Sequence, residues 1–265
     1  MYKNRNDSHQ IDINKLAGLI DHTLLKPDTS HEQIKILCNE ALKYNFASVC
    51  INPANVFFVK EYIRSISSLP GLEKKDSENI ARASAGKANF KIKICSVIGF
   101  PLGASTTKIK VLEAENAIEN GANEIDMVIN IGALKSKDYK KVSSDIDAVI
   151  KAAGPKILVK VIVETCLLSK DEKITICEIV RDSGADFIKT STGFSLKGAS
   201  IDDIKLLRSI LGNKFGIKAS GGISDYKIAL SMIEAAGGIY DPNLFRLGTS
   251  KSVAIMEQFK QLILK

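Results

Sequence analysis

The chain has 265 residues, 45% of them hydrophobic and only 6% aromatic, with a formal net charge of +7. That length holds one large domain or two small ones around a substantial core. The lysines are dispersed, without a dense basic run, aromatic interleaving or zinc-finger spacing, and no apolar stretch approaches the ~20 residues of a membrane span. These features argue against nucleic-acid and membrane partners and leave anionic small molecules as what a basic surface would attract.

The first ten residues are polar and lack the apolar heart of a leader peptide, so 1–10 is expected to be a disordered tail. Ile11 to Ala17 reads as a short leading helix. Leu19 to Leu25 is a strand candidate closed by Lys26-Pro27-Asp28. Thr29 and Glu32 have capping-box spacing, and Ile34, Leu37, Cys38, Ala41 and Leu42 follow at helical period. Ala47 to Ile51 is the next strand, and Val56 to Ile66 the next helix. From 67 to 89 the pattern fails, and Pro70, Gly71 and mixed charges mark a probable loop insertion.

The alternation resumes with a strand from Lys93 to Pro101. Ser105 or Thr106 caps a helix that stops at Gly121. Glu124 to Asn130 is a strand, and a helix from Asp138 to Ala153 stops at Gly154. A strand from Ile157 to Glu164 follows. Ser169 and Glu172 form a second capping box, whose helix stops at Gly184. Phe187 to Thr192 is a strand, Ser200 to Leu211 a helix, and Phe215 to Ser220 a strand. Ser224 to Ala236 is a helix, Leu244 to Leu247 a short strand, and Lys251 to Leu264 the last helix. Parallel strands need crossover helices, and eight βα units in about 250 residues predict a single (β/α)8 TIM barrel over 11–265, with a short N-terminal helix. An open doubly wound sheet is the alternative, but no G-x-G-x-x-G follows the first strand.

Within that scheme the lysines are out of place. Lys160, Lys189 and Lys218 each interrupt an apolar strand, at separations of 189 − 160 = 29 and 218 − 189 = 29. One barrel unit is about 31 residues long, so the three occupy similar positions in consecutive strands, and Asp126 lies in the strand before them. A structural ion network is one explanation. The other is an active site, because three ammonium groups around one carboxylate leave excess positive charge that favours an uncharged amine. About one free lysine in ~2,500 is neutral at pH 7, and a lysine brought to a pKa of ~7–8 is neutral a tenth to a half of the time. Such an amine attacks carbonyls. A second constellation follows the last three strands: Thr192-Gly193, Ser220-Gly221-Gly222 and Gly248-Thr249-Ser250. Barrels bind phosphate with backbone N–H groups of the late loops. The three histidines and five cysteines show no metal-ligand spacing, and the cysteines read as reduced core residues of a cytoplasmic protein.

Taken in order, Leu19-Ile20-Asp21-His22-Thr23-Leu24-Leu25-Lys26, Ser48-Val49-Cys50-Ile51, Val97-Ile98-Gly99-Phe100-Pro101, Glu124-Ile125-Asp126-Met127-Val128, Lys160-Val161-Ile162-Val163-Glu164-Thr165, Phe187-Ile188-Lys189-Thr190-Ser191-Thr192-Gly193 and Lys218-Ala219-Ser220-Gly221-Gly222 resemble deoxyribose-phosphate aldolase. The resemblance runs from about residue 11 to the C-terminus, apart from 67–89. It implies a class I aldolase without metal or cofactor, acting on a phosphorylated sugar. The Schiff-base lysine then falls on Lys189, the second essential lysine on Lys218 and the proton-transfer carboxylate on Asp126. Lys160, Asp21, Cys50 and Thr190 are expected as supporting pocket residues. Thr192, Gly193, Gly221, Gly222, Gly248 and Ser250 are expected around the phosphate. Many relatives carry arginine where this chain has Ser224, and Lys251 is the expected substitute. The oligomeric state stays open, with a homodimer as one option.

Overall fold

The computed structural model describes residues 12–67 and 92–263. The expected tail at 1–10 lies outside them, as does the expected insertion at 67–89 beyond Ser67.

Eight strands form a closed parallel barrel: β1 (Ile20–Leu24), β2 (Ser48–Ile51), β3 (Lys93–Ile98), β4 (Glu124–Val128), β5 (Leu158–Ile162), β6 (Phe187–Lys189), β7 (Gly216–Ser220) and β8 (Phe245–Thr249). Each pairs with the next in the chain, and β1 closes the ring on β8. The helices are α1 (Ile13–Gly18), α2 (His31–Tyr44), α3 (Val56–Ser67), α4 (Thr107–Glu119), α5 (Ile131–Lys135), α6 (Tyr139–Ala153), α7 (Lys170–Asp182), α8 (Ile201–Leu211), α9 (Tyr226–Ala235) and α10 (Ser252–Ile263). The fold is the (β/α)8 TIM barrel.

Successive strand residues point to opposite sides of the sheet, and the chain uses this to build two different interiors. Ile20, Val49, Ile94, Ile125, Met127, Val159, Val161, Ile188, Ile217, Phe245 and Leu247 join the helix faces in one continuous apolar layer. The residues between them in sequence, among them Asp21, Asp126, Lys160, Lys189, Lys218 and Arg246, are buried on the other side, inside the barrel. Among the described residues the apolar group there is small: Leu25, Cys50, Cys95 and Val97, with Phe100 against them.

Local signals set most element ends. Asn45 takes the left-handed conformation, φ 62°, to close α2, and Gly154, φ 70°, closes α6. The capping box at Ser169 and Glu172 forms as expected. At α2 the box forms one residue later than expected, between Ser30 and Gln33. Thr29 instead donates its hydroxyl to Lys26 O and closes the preceding turn. β6 ends at Lys189 rather than Thr192, and the short helix α5, capped by Asn130, was not anticipated. Arg208 on α8 donates to Gly212 O, Phe215 O and Leu244 O, tying that helix to the segments entering β7 and β8.

Candidate active site

Asp126 sits at the centre of the barrel interior and is fully buried. Its Oδ2 accepts from Lys189 Nζ at 2.7 Å and Lys218 Nζ at 2.8 Å, and its Oδ1 from Lys160 Nζ at 3.1 Å. The strand register explains the meeting. Asp126 is opposite Lys160 across β4 and β5, and Lys189 is opposite Lys218 across β6 and β7. Equal sequence spacing had suggested three equivalent positions. Lys160 is instead opposite Phe187, two residues before Lys189, so it lies one level deeper.

Glu124 and Arg246 bring charges to the site that the sequence reading did not assign, and Asp21 joins them as expected. Glu124, two residues before Asp126 and therefore on the same face, accepts from Lys160 Nζ at 2.5 Å. Asp21 Oδ2 forms an ion pair with Lys218 Nζ at 2.6 Å, and its Oδ1 accepts from Ser48 Oγ at 2.8 Å. Arg246 donates to Asp21 at 2.7 Å and to Glu124 at 3.4 Å. The network thus has four cations (Lys160, Lys189, Lys218, Arg246) and three carboxylates (Asp21, Glu124, Asp126). The excess is 4 − 3 = 1 positive charge, less than three lysines around a lone aspartate would leave. Both additions carried a signal. Glu124 follows the strand alternation from Asp126, and Arg246 lies 246 − 218 = 28 residues after Lys218.

Burial by itself favours the uncharged form of every group here. It pushes the Asp126 carboxyl up, but Lys160, Lys189 and Lys218 together outweigh it and hold Asp126 well below the usual carboxylate range. Asp21 is likewise held down, by Lys218, Arg246 and Lys160 against burial. Burial pulls Lys160 and Lys218 down, yet the carboxylates win and both hold their protons more tightly than a free lysine.

Above the network opens a cavity of about 450 Å³. Lys189 is the member of the network that lines it, together with the ends of β1, β6, β7 and β8. Thr192, Gly193, Gly221, Gly222, Gly248 and Ser250 all line it, as do Ser224, Lys251 and Lys26. Gly193, Gly221 and Gly222 have φ of 85°, 80° and 76°, a conformation that glycine adopts without penalty. At Gly248 the reason is space: a Cβ would lie 2.9 Å from Lys218 Cε.

Some expected roles change. Thr192 lines the cavity, but its N–H and its hydroxyl both donate to Glu164, so neither is free for an anion. Thr190 is fully buried and works as a clamp rather than a cavity wall: its hydroxyl donates to Ser220 O at 3.2 Å and accepts from Ser220 N. Cys50 lies beneath the cavity, its thiol 3.8 Å from Asp126 Oδ2. Ser224 turns its hydroxyl to Asp225. Cys50, Cys95 and Asp126 bring three donor atoms within 4.8 Å of one another, a grouping the sequence spacing did not suggest. A cation there would face the ammonium groups already on Asp126, so the set suits a metal poorly.

Buried amines at the C-terminal ends of barrel strands, one of them open to a cavity walled by glycine turns, fit carbonyl chemistry on an anionic substrate. Comparison with known proteins points the same way. Residues 16–239 match the family described as DeoC/LacD family aldolase. The deoxyribose-phosphate aldolase of Clostridium tetani is 48% identical over 246 residues, 93% of this chain and 100% of that protein. The corresponding enzyme of Thermococcus kodakarensis is 46% identical over 92% of this chain and 96% of its own. Among solved structures, one described as QR15, an aldolase, superposes with a TM-score of 0.76 at 36% identity, covering 96% of this chain and 100% of its own. The tetrameric deoxyribose phosphate aldolase of Aeropyrum pernix gives a TM-score of 0.75 at 29% identity, covering 95% and 93%.

Proposed function

The chain belongs to the DeoC/LacD aldolase family, and from that premise we propose that it reversibly cleaves 2-deoxy-D-ribose 5-phosphate to D-glyceraldehyde 3-phosphate and acetaldehyde, in deoxyribonucleoside catabolism. The observation that carries the proposal is the buried network with a single positive charge in excess, in which Lys189 faces the cavity.

Lys189 Nζ attacks C1 of the open-chain sugar and, with loss of water, forms a protonated imine. The imine draws the electrons of the C2–C3 bond into an enamine as the C3 hydroxyl gives up its proton. The C3–C5 fragment leaves as D-glyceraldehyde 3-phosphate. Protonation of C2 and hydrolysis release acetaldehyde and restore the amine. Asp126 is the acceptor and donor for these protons, through a water where it does not reach directly. Lys218, held by Asp126 and Asp21, keeps positive charge beside Lys189.

The backbone of the Gly193, Gly221-Gly222 and Gly248–Ser250 turns supports a phosphate subsite, with Lys251 and Lys26 supplying cationic charge in place of the arginine expected at Ser224. A homo-oligomer, at its smallest a homodimer, and a cytoplasmic location complete the proposal. The tetramer of the A. pernix relative supports self-association. Among the described residues no helix is long and apolar enough to cross a membrane.

Borohydride reduction in the presence of acetaldehyde, followed by peptide mass mapping, tests the reading. The expected adduct is on Lys189, and dihydroxyacetone phosphate gives none. An adduct on Lys160 or Lys218 would reassign the nucleophile, and the absence of any adduct would sink the proposal.

A further inference from the structure

Glu164 stands just beyond β5, next to the strand that carries Lys189, and takes no part in the charge network. It is 2% exposed. Its backbone is left-handed, with φ 55° and ψ 63°, in a residue that is neither glycine nor asparagine. Such conformations persist where surrounding contacts impose them and cluster at functional sites.

Locally its carbonyl accepts from Leu167 N at 3.0 Å and Cys166 Sγ lies 3.8 Å from its Oε1, while its Oε2 reaches the loop after β6. Glu164 Oε2 accepts the Thr192 N–H at 3.2 Å and the Thr192 hydroxyl in a shorter bond. Thr192 Oγ1 in turn accepts the Phe194 N–H at 3.0 Å. On either side of Glu164 in the chain, Val163 N donates to Lys189 O at 3.0 Å and Thr165 N donates to Thr190 O at 2.8 Å. One residue further, Cys166 Sγ lies 3.4 Å from Ser195 Oγ. The carboxylate therefore holds Thr192 and Phe194 on either side of Gly193, and all three line the cavity. Gly193 is in ordinary contact with Gly221, where a Cβ would lie 3.5 Å from the Gly193 Cα and 2.9 Å from the Gly198 Cα.

We propose that Glu164 is a positioning residue for the phosphate subsite: it takes both donors of Thr192 and so aims the Gly193 turn, and the Gly221 turn packed on it, at the anion. This rests on the phosphate-subsite reading given above. A threonine beside a glycine turn would ordinarily offer its own hydroxyl to a phosphate. Here that hydroxyl and the N–H groups of Thr192 and Phe194 are committed to the loop, and the Gly193 N–H is what this turn offers the ligand. The negative charge of Glu164 is turned onto Thr192 instead of into the cavity.

Steady-state kinetics on 2-deoxyribose 5-phosphate and on unphosphorylated 2-deoxyribose test the proposal, using Glu164→Ala, Thr192→Val and the double variant. A misaimed turn raises KM for the phosphorylated sugar by about ten- to a hundredfold, a far larger change than in kcat/KM for deoxyribose. The double variant is no worse than Glu164→Ala, because loss of the carboxylate already removes the hydroxyl bond that Thr192→Val removes. Thr192→Ser keeps the hydroxyl and restores the wild-type KM. Equal losses on both sugars, additive losses in the double variant, or a Thr192→Ser chain as impaired as Thr192→Val would overturn the proposal. Borohydride trapping on Lys189 is read in every variant, since a purely structural collapse abolishes it. A wild-type chain that traps acetaldehyde but shows no preference for the phosphorylated sugar would overturn the subsite itself, and Glu164's role with it.

Discussion

Replacing Asp126 by asparagine separates two things the carboxylate does. In the wild type it accepts from three ammonium groups, at 2.7, 2.8 and 3.1 Å, and from the Cys95 thiol at 3.0 Å. Asparagine keeps the shape and removes the charge. The interior then holds four cations against two carboxylates, an excess of 4 − 2 = 2. Breaking a buried ion pair by removing one partner costs about 3–5 kcal/mol. At ~2–4 °C per kcal/mol for a domain of this size, the expected drop in Tm is about 6–20 °C, measured by circular dichroism. Turnover loses its proton relay and falls by about 10²–10⁴. The added charge excess favours an uncharged amine, so trapping of acetaldehyde on Lys189 persists in the folded variant. The reasoning fails if trapping disappears in step with turnover below the melting transition, or if Tm does not move.

The same groups define a stability plateau. Asp21 and Asp126 are held below their unfolded value of ~3.9, so their contribution is complete above that pH and fades as acid protonates them in the folded state. Lys160 and Lys218 are held above ~10.4, so theirs is complete below that pH and fades as alkali strips them in the folded state. The gap in urea midpoint between wild type and Asp126→Asn should therefore stay constant from about pH 5 to about pH 9 and close in stronger acid; a gap that widened in acid would contradict the assigned directions. Lys251→Ala should raise KM for 2-deoxyribose 5-phosphate while leaving deoxyribose nearly untouched, and equal effects on the two sugars would remove Lys251 from the phosphate subsite.

The barrel was legible because its units repeat: apolar strands and helical periods recur eight times, glycine stops such as Gly121, Gly154 and Gly184 close several helices, and each is a local property of a few neighbouring residues. The lysines were legible for a different reason, since a charge inside an apolar strand has no packing explanation. What escaped the sequence depended on register. Lys160 shares the spacing of Lys189 and Lys218 but sits a level deeper, because Phe187 and not Lys189 is its partner across the sheet. Whether Arg246 and Glu124 meet depends on barrel closure between strands that are far apart in the ring. Thr29–Glu32 and Ser30–Gln33 are overlapping capping frames, and the choice between them falls to a turn bond at Lys26. Glu164 looked like the tail of a strand, and only its left-handed backbone and its hold on Thr192 distinguish it.

Most barrels fill their axis with branched aliphatic side chains, which adds to cohesion. Here the axis carries seven formal charges, and the apolar material lies almost entirely in the ring between sheet and helices. Buried ion networks are often no more stable than well-packed oil of the same volume. The molecule has therefore traded a reserve of robustness for reactivity: a sequence selected only to stay folded would drift toward leucine and methionine along this axis, and would become hardier as it went silent.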